Sequence, residues 1–162
     1  VAALIVVWAV YQFVQGNIGN GIALILLSLF PVLLYFRNEF ILLTFLRLRK
    51  QDFEGMEKWL SKIAEPETAL LRNQQGYYNY MYGVIYTRKN LTQAEKYFRK
   101  ALQLGLTMDY DKAMVKMSLA GIMIQKRKKR EAQELLTEAK KLDKQNMMTE
   151  QIKMLQQQLK KI

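Results

Sequence analysis

The chain has no cysteine and no histidine in 162 residues. Without cysteine there is no disulfide framework, no thiol nucleophile, no iron–sulfur ligand and no thiolate zinc site. Without histidine the commonest general base and the commonest metal ligand are gone, so no Ser–His–Asp or Cys–His arrangement can be assembled. Gly16, Gly19 and Gly21 have no following lysine, so they do not make a phosphate-binding loop. Acidic residues are outnumbered, 14 Asp plus Glu against 25 Lys plus Arg, leaving a net charge of +11. The pairs Asp109/Asp111 and Glu65/Glu67 read as helix-start charges rather than a metal cluster. The chain is therefore expected to be non-enzymatic, with no catalytic residues, no cofactor and no metal.

Charge is also missing by position. Residues 1–36 hold no charged residue, so every charge falls in 37–162. Residues 1–14 read VAALIVVWAVYQFV and residues 22–36 read IALILLSLFPVLLYF. Between them, QGNIGNG is turn chemistry. A bilayer core asks for roughly 20 apolar residues per helix, with a range of about 17–25. The pattern predicts a two-helix transmembrane hairpin over 1–36, with helices at about 1–14 and 18–36. The first segment is short and the chain begins at Val1 without Met, so residues are expected upstream. A signal-peptide core and a buried hairpin of a soluble protein are the alternatives. The first lacks a basic start and a small-x-small cleavage site. Arg37, Arg47, Arg49 and Lys50 follow the second segment, and basic flanks mark the cytoplasmic side. The expected location is integral to a plasma or inner membrane, with the remainder of the chain on the cytoplasmic side.

That remainder carries a period. Met56, Leu60 and Ile63 lie at i, i+4, i+7, and so do Ala94, Phe98, Ala101 and Ala132, Leu136, Ala139. The anchors 56, 94 and 132 are 38 residues apart each time. Small residues at Gly83, Ala94, Ala101, Ala120, Ala132 and Ala139 allow close helix approach, with Tyr86, Phe98 and Leu136 filling the space between turns. Asp52 is placed to cap one helix, Thr92-Gln93-Ala94-Glu95 to form a capping box on the next, and Gly105 to end that helix in a left-handed cap. A first helix at about 37–50 is expected to pack Phe40, Leu43 and Phe45 on Met56, Leu60 and Ile63. Ile152, Leu155 and Leu159 form the apolar stripe of a last helix over about 146–161, which would close the array.

The small–large–small triplets Ala94/Phe98/Ala101 and Ala132/Leu136/Ala139, with Tyr82-Gly83 and Tyr86 and the looser Leu119-Ala120 and Met123, resemble the tetratricopeptide repeat, best over residues 76–140. The resemblance implies an all-α fold in which antiparallel helix pairs stack into a short α-solenoid. The expected organisation is the hairpin over 1–36, repeats over 37–145 and a capping helix over 146–162. Family geometry places Tyr77, Tyr80, Val84, Arg88, Met117, Gly121 and Ile124 along a concave, partner-binding groove. Tyrosine suits such surfaces because it joins apolar area to a hydrogen-bonding tip.

Lys126, Arg127, Lys128, Lys129 and Arg130 form a basic run at a turn between helices. It reads as a solvated turn or as a contact for anionic lipid headgroups. Aromatics do not interleave with it and no recognised nucleic-acid motif is present, so nucleic acid is not an expected partner. The expected function is a membrane-anchored scaffold or adaptor that recruits or holds partner proteins at the cytoplasmic face. The alternative is a small accessory subunit of a larger integral membrane complex of transport, secretion or proteolysis. There the hairpin would be the main interface, through Gly19, Gly21, Ala23 and Ser28.

Overall fold

Ten helices and no strand form among the described residues. The structure is a computed structural model that describes residues 2–36 and 39–161, apart from the side chains of 2 and 30–36. The first two helices are α1, Ala2–Val14, and α2, Ile18–Phe36. The chain reverses between them at Gln15-Gly16-Asn17, where the amide of Asn17 donates to the carbonyl of Gln12 at 3.0 Å. The seam of this hairpin is small: Ala9, Gly21 and Ser28 are buried, and the Phe13 ring lies over Gly21. Large apolar side chains point outward, with Val14 82% exposed and Leu26 63% exposed.

The expected transmembrane hairpin is overturned by its dimensions. Among the described residues no helix is long and apolar enough to cross a membrane. α1 has 13 residues and rises about 20 Å, against a hydrocarbon core of about 30 Å. α2 has 19 residues, but Gly19, Asn20 and Gly21 occupy its first turn, and the apolar run after Asn20 rises only about 24 Å. The integral-membrane location is corrected with it. The cytoplasmic placement of the repeats and the membrane-flanking role of Arg47, Arg49 and Lys50 both presupposed a span and fall too. Arg47 instead pairs with Asp52 at 2.8 Å, and Arg37 lies outside the described residues.

The remaining helices are α3 (Glu39–Arg49), α4 (Phe53–Leu60), the single turn α5 (Pro66–Ala69), α6 (Arg72–Tyr86), α7 (Leu91–Leu104), α8 (Asp109–Gln125), α9 (Lys129–Leu142) and α10 (Thr149–Lys160). They associate in sequence order: α3 with α4, α6 with α7, α8 with α9, each pair against the next, and α10 on α8 and α9. The 38-residue period shows in the caps. The residues preceding α4, α7 and α9 are Asp52, Asn90 and Lys128. The Asp52 carboxylate accepts from the Gly55 amide at 2.8 Å. The Asn90 side chain accepts from the amides of Thr92 and Gln93 at 3.0 and 3.1 Å. Lys128 has no acceptor, and α9 begins without a side-chain cap. The box expected at Thr92 is therefore not the device used. Asn90 caps α7, and Glu95 is drawn away to cations.

The period shows again in the turns. Gln51 and Arg127, two periods apart, adopt left-handed φ values of 55° and 56°. After each, the next amide reaches back five residues, Asp52 to Arg47 at 3.1 Å and Lys128 to Met123 at 2.8 Å, the long bond of a Schellman turn. Gly105 ends α7 with φ 99° and ψ 139°, outside the left-handed helical well expected there, and its amide donates to the Ala101 carbonyl.

All three triplets are core. Met56, Leu60, Ala94, Phe98, Ala101, Ala132, Leu136 and Ala139 are fully buried, and Ile63 nearly so. The Phe98 ring lies against Gly83, where a β-carbon would sit 2.5 Å from Phe98 Cδ1. At Gly76 an added β-carbon would collide with the backbone carbonyl oxygen of Gly105, so two backbones meet there with no side chain between them. Phe45 bridges α3 to α6, with ring centroids 5.6 Å from Tyr77 and 6.4 Å from Tyr80. Phe40 stacks on Trp59 of α4 at 6.1 Å.

A row of ion pairs joins successive pairs of helices. Glu57 of α4 meets Lys89 in the α6–α7 turn at 2.5 Å, and Glu95 of α7 meets Lys126 in the α8–α9 turn at 2.6 Å. The two glutamates are one period apart. One period further, on α9, stands Gln133, and the row stops.

Candidate protein-binding cleft

The faces of α8 and α10 diverge to leave a cleft of about 320 Å³. α8 supplies Met117, Ser118 and Gly121, and α10 supplies Gln151, Met154, Leu155 and Gln158. Both sets follow helical spacing, so each occupies one stripe of its helix. Gly121 keeps the floor low: a β-carbon there would just touch Leu155 Cδ2 at 3.9 Å. Ser118 spends its hydroxyl on the Met114 carbonyl at 2.8 Å, so it adds little polarity to the cleft. Met154 is 55% exposed at the rim, while Ile152 and Leu159 on the opposite stripe of α10 are buried against the stack. No lining residue is titratable. The arrangement offers adaptable apolar contact from two thioethers, with amide groups on one wall.

Two of the residues expected to line a groove, Met117 and Gly121, meet in this cleft. The others do not. Tyr80 and Ile124 are buried in the core. Val84 is half-buried against it. Arg88 lies over the Phe53 ring, its Cζ 4.1 Å from the centroid, tying the α6–α7 turn to α4. Tyr77 donates from its hydroxyl to Asp111 Oδ2 at 2.7 Å, a bond between α6 and the first turn of α8. Burial, helped by the Asp111 carboxylate, raises the Tyr77 pKa, so it stays protonated and holds its donor role. Tyr78, Tyr82 and Tyr86 on α6 join Tyr97 on α7 in a run of ring contacts, the nearest 4.9 Å between centroids. These rings tie the two helices of one pair together instead of facing a groove.

Sequence reasoning misses the α10 half of the cleft, Gln151, Met154 and Gln158. It reads α10 as a cap with one useful stripe. The signal available there is Met154, which stands off the Ile152/Leu159 stripe.

The basic run is divided by its partners. Lys126 is a structural tie to Glu95. Partial burial acts against ionisation of that carboxyl, but Lys126 and Arg99 outweigh it and hold Glu95 below the usual carboxylate range. Arg99 also reaches Glu131 on α9. Lys128 lies 3.9 Å from Glu131, and Arg130 lies 3.2 Å from Glu134. Arg127 occupies the left-handed turn, and Lys129 faces the far side of α9. Among the described residues no group of three or more His, Cys, Asp or Glu side chains could hold a metal ion.

No protein-family model matches the chain, and no curated protein or solved structure matches it either.

Proposed function

We propose that this chain is a non-catalytic helical-repeat scaffold of tetratricopeptide type that holds a protein partner in the concave cleft between α8 and α10. The observation that carries the reading is the cleft itself, a methionine-rimmed apolar stripe left uncovered beside the filled seams of the stack. The buried small–large–small triplets and their fixed period support the repeat assignment. Thioether and amide walls suit a peptide or helix with an apolar ridge, because methionine adapts its shape at low cost.

A second reading is favoured by a different observation. The outward apolar side chains of α1 and α2 suit a subunit held in a larger assembly through its hairpin. Site-specific photo-crosslinking of the intact chain separates the two. A crosslinker at position 154 captures the partner if the cleft is the site, and Gly121→Leu, which fills the floor, abolishes that capture. Capture only from position 8, unaffected by Gly121→Leu, would transfer the function to the hairpin.

A further inference from the structure

α1 and α2 pair with each other and form no packed interface with the stack among the described residues. Their exposed apolar side chains are ordered rather than scattered. On α1, Val6, Val10 and Phe13 lie at i, i+4, i+7, and on α2 Ile18, Ile22 and Ile25 repeat that spacing. Each of the six is at least 36% exposed. The Phe13 ring rests on Gly21, which Ile18 and Ile25 flank at i−3 and i+4, so the two stripes lie side by side on one face of the hairpin. The opposite edge of α1 is different. There Leu4, Trp8 and Tyr11 form a separate stripe with a polar end, where the Tyr11 hydroxyl accepts from Gln15 Nε2 at 2.6 Å.

Area, charge and stiffness together select what covers the Phe13 face. The chain exposes 10766 Å², about 2,400 Å² more than a compact monomer of its mass, 19.1 kDa. An extended stack accounts for part of that surplus and the uncovered hairpin for the rest. A stable dimer removes about 1,000 Å² or more from each subunit. Residues 1–36 carry no charge, so two hairpins meet without the repulsion that the net +11 imposes between the remaining parts of the chain. An uncharged face also has no electrostatic means of choosing an acidic or a basic partner. A second copy presents the same stripes at the same spacing, and apolar stripes of one spacing interdigitate. Five of the six residues are Val or Ile, whose χ1 the helix already fixes, so docking costs them little entropy.

We propose that the Val10 and Ile22 face of the hairpin is a self-association surface, on which a second copy of this chain docks so that α1 and α2 of the two copies form a four-helix bundle. The contact is isologous: each copy offers the same two stripes and receives the same two stripes, so association stops at two. The charged stacks stay outside the bundle. This face is independent of the concave cleft, and it stands whether or not that cleft binds a partner.

The test is sedimentation equilibrium of the intact chain in detergent-free buffer. A dimer with a Kd of about 10 μM or tighter is expected. Added salt should leave it unchanged or strengthen it, because screening relieves the repulsion between two stacks of like charge. Ile22→Glu with Ile25→Glu should weaken the dimer more than about a hundredfold, since each glutamate would be buried without a partner. Leu4→Glu with Trp8→Glu, the same change of charge on the opposite edge of α1, should weaken it less than about threefold. Ile22→Ala with Ile25→Ala keeps the helix and should weaken it about tenfold, which reads the same face without introducing charge. Gly121→Leu should leave the dimer unchanged, which keeps this result separate from the concave cleft. A chain still monomeric at about 100 μM would overturn the proposal. So would growth beyond two copies, dissociation by salt, or equal weakening by both glutamate pairs. Capture by phosphatidylcholine vesicles of a chain that is monomeric in buffer would give the face to a lipid surface and overturn it as well.

Discussion

In the N-terminal hairpin, Ala9, Gly21 and Ser28 make the seam while Trp8, Val14 and Leu26 face out. In the helix stack, Met56, Phe98 and Leu136 fill the seams while lysine, glutamate and glutamine face out. The two regions use similar apolar residue types with opposite polarity. In the stack, each large side chain removed from water contributes about 1.5–3 kcal/mol, so folding and burial are one event. In the hairpin the large side chains are left exposed by the fold, so folding of the chain buries little of them. Its helices are held by their own hydrogen bonds and a small-residue seam. The number of apolar residues in a helix therefore says little about what holds it in place. What matters is whether the large ones are at the seam.

The sharpest way to break this comparison is to truncate one aromatic in each region. Phe98→Ala empties the space between Gly83 and the α7 backbone and should cost about 3–5 kcal/mol. Trp8→Ala removes a side chain that is 57% exposed, and its effect on unfolding of the stack should stay within about 0.5 kcal/mol. The chain has two tryptophans, Trp8 in the hairpin and Trp59 in α4. Urea unfolding followed by fluorescence of a Trp8→Phe chain therefore reads the stack through Trp59 alone. Comparable losses from Phe98→Ala and Trp8→Ala would mean that the two regions share a core.

The next largest effect compares two glycines that both have something against them. At Gly76 the obstacle is the Gly105 carbonyl, which is backbone and cannot turn aside. Gly76→Ala should cost about 2–3 kcal/mol despite the better helix propensity of alanine. At Gly21 the obstacle is the Phe13 ring, 2.7 Å from an added β-carbon, but that ring is 36% exposed and free to swing outward. Gly21→Ala should be nearly neutral. Thermal unfolding by circular dichroism gives both numbers, and a neutral Gly76→Ala would show that α6 and α7 slide apart more easily than their contact suggests.

The helix stack is legible in the sequence because its signal is local and repeated. Met56, Ala94 and Ala132 announce the period, and a buried stripe at i, i+4, i+7 leaves its mark whatever surrounds it. The groove is less legible. Helical spacing says which residues share a face, but not whether a neighbouring helix covers that face. Tyr80, expected in the open, is covered by Phe45 and Phe98, whereas Met154, which lies off the apolar stripe of α10, stands at a rim. The hairpin misleads for a related reason. A run without charge reads as a span, but Gly19-Asn20-Gly21 shortens the apolar rise of α2, and only the placement of the helix start reveals it. The cap on α7 reads as Thr92 because the box pattern is there. Asn90, two residues earlier, takes both free amides and leaves the box unused.

A smaller change would sharpen the contrast by strengthening one pair of the stack alone. Lys128 stands where Asp52 and Asn90 cap their helices, so α9 is the uncapped member of the series. Lys128→Asp should supply an acceptor for the free amides of α9 and a favourable charge at its N-terminus. The gain should be about 1 kcal/mol. Hydrogen exchange is expected to slow in α8 and α9 and to remain unchanged in α1 and α2. A uniform slowing along the whole chain would mean that the hairpin unfolds together with the stack.

Acid is the mildest probe, and it acts on one region only. The hairpin has no carboxylate over residues 1–36, whereas the stack holds Glu95 between Lys126 and Arg99. Because that carboxyl titrates below its unfolded value of about 4.3, its contribution is complete above that pH. It is lost as pH falls through the lower, folded value. A half-buried tie of this kind contributes about 0.5–1 kcal/mol. Glu95→Gln should therefore lower the stability of the stack at neutral pH by that amount, and the difference should vanish as the pH falls below the lowered folded value, where the native carboxyl is itself protonated. Emission from Trp59 in the Trp8→Phe background should follow this difference. Emission from Trp8 in a Trp59→Phe background should not respond to the Glu95 titration, since nothing in the hairpin pairs with a carboxylate. A Trp8 signal that tracked Glu95 would show that the covered and the uncovered regions communicate, and the division between them would have to be redrawn.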